Sequence, residues 1–252
     1  MKKSLLRSFK HFLTIVGSRS PNRYLHQLQM VVNYMKLGRW MFGHDFHFNH
    51  RVRDRDSVFA AVTKLVRDQR VLYLEFGVYK GATFLQMVDL ASQQNKRCHG
   101  VDSFQGMGEP TERDRPSPDV EHSYPAGKFK TEHYPDALLR KLINTYGTDS
   151  LAWSLWIGWV PDVLKQIETQ AWQLSFAHID MDHYEPTAAA LKWAWNRLVP
   201  GGMLLCHDYI PGCTWLATPA IDRFLQRHKG ATETTRLPDG YLAIRKKRIV
   251  DE

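Results

Sequence analysis

From residue 57 onward the sequence alternates short apolar runs with stretches whose apolar residues recur at helical spacing, and that alternation leaves few folds open. The runs "VLYLEFG", "RCHGVDSF", "SLAWSLWIGW", "LSFAHIDMD" and "PGGMLLCHDY" read as strands. Between and around them "DSVFAAVTKLVRD", residues 82–93, "DALLRKLINTYG", "VPDVLKQIE", "EPTAAALKWAWNRLV" and "PAIDRFLQRH" read as helices, the first capped by Ser57 and the last stopped by Gly230. Strands that alternate with helices pair in parallel, and the helices cover both faces of the sheet. The expected fold is therefore α/β: a doubly wound, mostly parallel sheet, closed by an antiparallel hairpin in "TTRLPDGYLAIRKK" around Pro238, Asp239 and Gly240.

A chain of 252 residues holds one such domain and little more, so residues 57–252 are assigned to it and residues 1–56 to a helical extension. Charge separates the two parts. Residues 1–70 carry 14 Lys and Arg against 4 Asp, whereas the remainder carries 20 basic against 22 acidic residues, so the formal net charge of +8 is concentrated at the N-terminus. Leu5, Leu6, Phe9, Phe12, Leu13 and Val16 form an apolar stripe there, suited to contact between copies of the chain or to a membrane surface. The segment lacks the dense aromatic interleaving of a nucleic-acid platform. No apolar run reaches the length that spans a bilayer, and Cys98, Cys206 and Cys213 form neither a metal-ligand pattern nor a disulfide framework, so a cytoplasmic, reducing setting is expected. The polar stretch 105–135 is the length of a lid or a disordered loop.

In open α/β sheets a ligand collects beyond the carboxyl ends of the strands, where the first strand turns into its helix. Here that turn is "LEFGVYKGATF". Gly77 and Gly81 suit a tight backbone turn, but Tyr79 stands where a dinucleotide-binding turn has its middle glycine, which argues against a diphosphate. Asp102, at the end of the second strand and followed by Ser103 and Phe104, lies about twenty residues on, where an acidic residue meets ribose hydroxyls. A ribose without a pyrophosphate describes S-adenosylmethionine, and Glu75 is a candidate to hold its cationic methionine end.

A second constellation comes from the later strands. Asp180 and Asp182 end the fourth, His207 and Asp208 the fifth, and strand ends converge on one rim. Three carboxylates and an imidazole make a plausible cation site.

In order and spacing, "LEFGVYKGATF", "GVDSFQGMGEP", "IGWVPDVL", "HIDMDHYEPTAAAL", "VPGGMLLCHDY" and "PAIDRF" resemble the motifs of the macrocin O-methyltransferase group over residues 57–228. The resemblance implies a Rossmann-like class I S-adenosylmethionine-dependent enzyme that methylates a hydroxyl of a sugar-bearing or other polar small molecule. It also implies magnesium on the aspartates at 180 and 208, with Asp182 close by, and Asp180 as catalytic base. Gly158 and Trp159 would border the adenine, and a homo-oligomer would cover its pockets with N-terminal segments. One position departs from the group: His207 stands where an aspartate is usual. A histidine ligand suits manganese, iron or zinc better than magnesium, and His207 is an alternative base.

Two other readings compete. One is nucleic-acid methylation anchored by the basic N-terminus, although the Asn-Pro-Pro-Tyr type of run used for base methylation is absent. The other is a non-catalytic module that binds S-adenosylmethionine. His44, His47 and His50, interleaved with Phe46 and Phe48, read as packing or substrate contact, and His122 and His133 lie in the expected lid. Trp153, Trp156 and Trp172 divide between core and surface, and Trp193 and Trp195 belong to the core.

Overall fold

The computed structural model describes residue 15 and residues 72–94, 96–115, 124–131, 153–237 and 240–248. The expected helices at 57–69 and 136–147, the N-terminal stripe, the histidines at 44, 47, 50, 122 and 133, and Pro238 and Asp239 lie outside these residues. All but residue 15 belong to the compact unit Val58–Glu252.

The described elements run β1 (Leu72–Phe76), α1 (Ala82–Gln93), β2 (Cys98–Asp102), β3 (Trp153–Ile157), α2 (Asp162–Ile167), β4 (Leu174–Ile179), α3 (Tyr184–Arg197), β5 (Leu198–Cys206), α4 (Ala217–Arg227), β6 (Thr232–Leu237) and β7 (Tyr241–Lys246). They build one seven-stranded sheet in the order β3-β2-β1-β4-β5-β7-β6. β1 through β5 are parallel, while β7 runs antiparallel to both β5 and β6. The expected fold class is present, including the C-terminal hairpin. The helix before β5 stops at Arg197, so Leu198 and Val199 belong to the strand, where Leu198 pairs with Leu174.

Alternation along β1 divides its residues between two cores. Leu72, Leu74 and Phe76 join buried residues of α2, α3 and α4, among them Ile167, Leu191, Trp193 and Ile221. Tyr73 and Glu75 point the other way, where α1 packs on β1 and β2. Gly100 faces that side too. A Cβ there would lie 2.7 Å from Val78, 2.8 Å from Leu155 and 3.0 Å from Phe84, so the absent side chain lets α1 come close. Glycine is required here for proximity. Cys98 and Cys206 are buried and Cys213 is half-buried, all three as free thiols. Among the described residues no helix is long and apolar enough to cross a membrane.

Candidate active site

The turn after β1 is made by two left-handed glycines, Gly77 at φ 89° and Gly81 at φ 80°. Gly77 is constrained twice over, because a Cβ would fall 1.8 Å from the carbonyl oxygen of Asp180. The turn's amides are committed internally. Gly77 N donates to Val101 O (3.0 Å), Gly81 N to Val78 O (2.8 Å) and Tyr79 N to Asp102 Oδ2 (2.7 Å). A diphosphate would need such amides turned outward, so this turn suits a ligand without one.

Asp102 does more than await a ribose. Its Oδ1 also accepts from Phe104 N at 2.7 Å, so one carboxylate ties the turns after β1 and β2 together. Burial raises its pKa, and the backbone donors of Phe104, Tyr79, Val78 and Ser103 pull the other way. Ser103 is buried and its Oγ accepts from Gln105 N (3.1 Å).

Glu75 lies on β1, two residues before Gly77. It is fully buried beneath the turn, and its Oε1 lies 2.9 Å from Nδ1 of His178, which sits at the same register on β4. Burial raises the Glu75 pKa despite the opposing pull of His178 and Thr83. Its Oε2 is buried without a hydrogen-bond partner.

Beyond β4 and β5 the expected residues meet. His207 Nδ1 lies 3.2 Å from Asp180 Oδ1 and 3.0 Å from Asp208 Oδ1. Ligand atoms of Asp180, His207 and Asp208 all fall within 4.8 Å of one another. Asp182 borders the same group: burial raises its pKa well above the usual carboxylate range, and the charges of Asp180 and Asp208 raise it further. Burial alone would lower the His207 pKa, but the two aspartates overcome it and push it up to about 10. In the absence of a cation the two aspartates thus favour the protonated imidazole, and a cation bound here would take the place of that proton. This donor set fits a divalent cation, since crowded carboxylates repel one another until positive charge is supplied.

Backbone strain gathers on this rim. Tyr79, Phe104, Phe129, Asp182, Asp208 and Leu216 all take positive φ without being glycine. Such residues cluster where a site dictates backbone shape. Most of the loops that carry them are fastened. Asp182 and Asp208 directly follow strands whose ladder continues through Asp180 N to Phe76 O (2.9 Å) and His207 N to Ile179 O (2.9 Å).

The expected lid is, in its described parts, a packed structure. Met107 N donates to Lys128 O and Gly127 N to Met107 O, both at 2.8 Å. Asp114, in the short turn Glu112–Asp114, is 1% exposed and accepts from Thr111 N (2.7 Å), Thr111 Oγ1 (2.8 Å) and Tyr184 N (2.7 Å). It thus caps α3 from another segment. Arg113 lies over the Tyr184 ring at 4.5 Å and reaches Glu185. Tyr124 O lies 3.2 Å from His183 Nε2, which brings the turn segment 124–131 beside the acidic group. Burial raises the Tyr124 pKa, and the charges of Asp182, Asp208 and Asp180 add to it.

Gly158 follows β3, its N bonded to Asp102 O at 3.0 Å, and Trp159 stands exposed beside Gly108. Trp193 and Trp195 are buried, as expected for core residues, Trp153 is buried with them, and Trp156 and Trp172 pack edge to face at 5.6 Å. Sequence reasoning missed His178, Asp114, Tyr124 and Phe129. Only Asp114 left a signal, the Thr111-to-Asp114 spacing of a capping box.

Sheet order, an amide-poor glycine turn and acidic groups beyond β4 and β5 define a Rossmann-like methyltransferase architecture. Residues 74–209, more than half of the chain, match the family model described as a methyltransferase domain, and the chain belongs to that family. It is an S-adenosylmethionine-dependent methyltransferase. No curated protein matches it. Among solved structures, the calicheamicin methyltransferase CalS11 is 20% identical, covering 90% of this chain and 93% of that one with a TM-score of 0.65. The O-methyltransferase NovP is 18% identical, covering 77% and 80% with a TM-score of 0.60. An O-methyltransferase from Bacillus cereus, in complex with SAH, is 16% identical, covering 95% and 97% with a TM-score of 0.54. At these identities the likeness is one of fold.

Proposed function

We propose that the chain methylates a hydroxyl of a polar small molecule, with sugar-bearing compounds as the leading acceptor class, assisted by a divalent cation. The observation that carries the reading is the meeting of Asp180, His207 and Asp208 immediately beyond the Gly77 turn. The neighbours CalS11, a TDP-rhamnose 3'-O-methyltransferase, and NovP, an O-methyltransferase, support an oxygen acceptor by analogy.

Asp180, His207 and Asp208 would hold the cation, with Asp182 beside them. Magnesium suits the carboxylates, and manganese or another transition metal gains from the imidazole. When bound, such a cation lowers the pKa of a hydroxyl, and S-adenosylmethionine supplies the methyl group. Asp180 accepts the hydroxyl proton. His207 keeps Asp180 and Asp208 in place through its two short contacts. Glu75, Gly77, Tyr79, Gly81, Asp102, Ser103 and Phe104 form the cofactor side, and Gly158 and Trp159 border its adenine end. Residues 1–56 are assigned to contact between copies of the chain.

The test is transfer of labelled methyl from S-adenosylmethionine to a panel of glycosides and catechols, with Mg, Mn or a chelator, on wild type and Asp180→Asn. Transfer that falls at least tenfold with the chelator, returns with metal and is lost in the variant supports the reading. Chelator-resistant transfer, or transfer to RNA alone, contradicts it.

A further inference from the structure

Three large hydrophobic side chains of the sheet unit are exposed among the described residues: Phe129 (39%), Trp159 (38%) and Ile210 (61%). All three stand on loops beyond the carboxyl ends of strands, the edge that carries the glycine turn and the acidic group. Phe129 is the most unusual. Its φ of 65° lies in the left-handed region, where an aromatic residue is disfavoured and Gly or Asn is the ordinary choice. The ring leaves much of its surface exposed on a backbone that does not favour it.

Its neighbours supply a reason. Phe129 meets Tyr79 of the cofactor turn edge to face at 5.6 Å and Tyr124 at 6.1 Å. Tyr124 is anchored at His183, one residue beyond Asp182, and the Lys128 ammonium lies 3.9 Å from the Tyr124 ring centre and 5.3 Å from that of Phe129. The row Tyr79, Phe129, Tyr124 thus runs from the cofactor turn to the acidic group. Gly106 lets the turn segment 124–131 pack close, since a Cβ there would lie 2.5 Å from Lys128 O.

Resting on the methyl-transfer reading above, we infer that Phe129 is a specificity-determining residue that receives the flat apolar face of a hydroxyl-bearing ring on the acceptor, with Tyr79 and Tyr124 flanking it. Two acceptor chemistries offer such a face: the C–H face of a pyranose and the plane of a catechol. Aromatic side chains take either through dispersion and their negative ring faces.

The experiment uses the full chain saturated with S-adenosylhomocysteine and titrates two probes by calorimetry, methyl α-L-rhamnopyranoside and 3,4-dihydroxybenzoate. Wild type, Phe129→Asn and Phe129→Tyr are compared, with the Kd for S-adenosylhomocysteine and the Tm measured on each. Wild type is expected to bind one of the probes, and which one tells sugar from catechol. Phe129→Asn should weaken that probe at least tenfold and Phe129→Tyr restore it to within about threefold. The S-adenosylhomocysteine Kd should stay within twofold, and the Tm of Phe129→Asn should hold or rise, because Asn tolerates the left-handed backbone. The inference is overturned if wild type binds S-adenosylhomocysteine but neither probe, if Phe129→Asn binds the probe as well as wild type, if its S-adenosylhomocysteine affinity drops, or if its Tm falls by several degrees. Failure of wild type to bind S-adenosylhomocysteine would overturn the methyl-transfer reading itself, and this inference with it.

Discussion

Asp180 joins the two halves of the site: its carbonyl oxygen packs where a Gly77 side chain would be, and its carboxylate contacts His207. Asp180→Asn should lower kcat by roughly 10²- to 10⁴-fold, the usual worth of a positioned base, while the Kd for S-adenosylhomocysteine changes little. Gly77→Ala should do the reverse. The left-handed backbone alone costs about 1–3 kcal/mol and the overlap with Asp180 adds to it, so cofactor binding and stability fall together in titration and urea unfolding. The sequence showed that carboxylates from two strand ends converge, because strand ends share one rim. It did not show which way Glu75 points. That depends on His178 being its neighbour on β4, and register between strands 100 residues apart leaves no local trace.

The segment after β2 acts as a tether, with Asp114 holding its own turn and the first amide of α3. Asp114→Ala leaves the buried Tyr184 amide, together with two Thr111 donors nearer the surface, without their acceptor and should cost about 1–3 kcal/mol, read from urea unfolding, with a raised acceptor KM. Strands and helices were legible from their periods, and β5 began two residues early only because Leu198 pairs with Leu174 instead of ending the helix. The contacts of residues 105–115 and 124–131 were not legible. A polar, glycine-rich segment has no period, and its packing rests on single hydrogen bonds such as Met107 to Lys128.

For the molecule as a whole, two histidines set opposite limits on stability with pH. Burial, with the nearby charge of Arg97, lowers the His99 pKa to about 4, and the ring stacks on Trp172 at 4.4 Å. Because the folded value lies below the unfolded one of about 6.5, His99 contributes fully above pH 6.5, and its contribution is lost as pH falls through 4, at most about 3 kcal/mol. His207, with its folded pKa pushed up to about 10, contributes fully below pH 6.5 and loses that contribution as pH rises through 10. Urea unfolding from pH 4 to 10 should show a maximum near neutrality, and His99→Phe should flatten the acid limb while His207→Gln flattens the alkaline one.

The most direct test of the central claim is calorimetric titration of the full chain with S-adenosylhomocysteine, on wild type and Gly77→Ala, with and without Mg or Mn. Saturable binding by wild type, weakened at least tenfold in the variant and responsive to metal, is the predicted result. No binding by wild type, or equal binding by both proteins, would contradict the assignment of the Gly77 turn as the cofactor site.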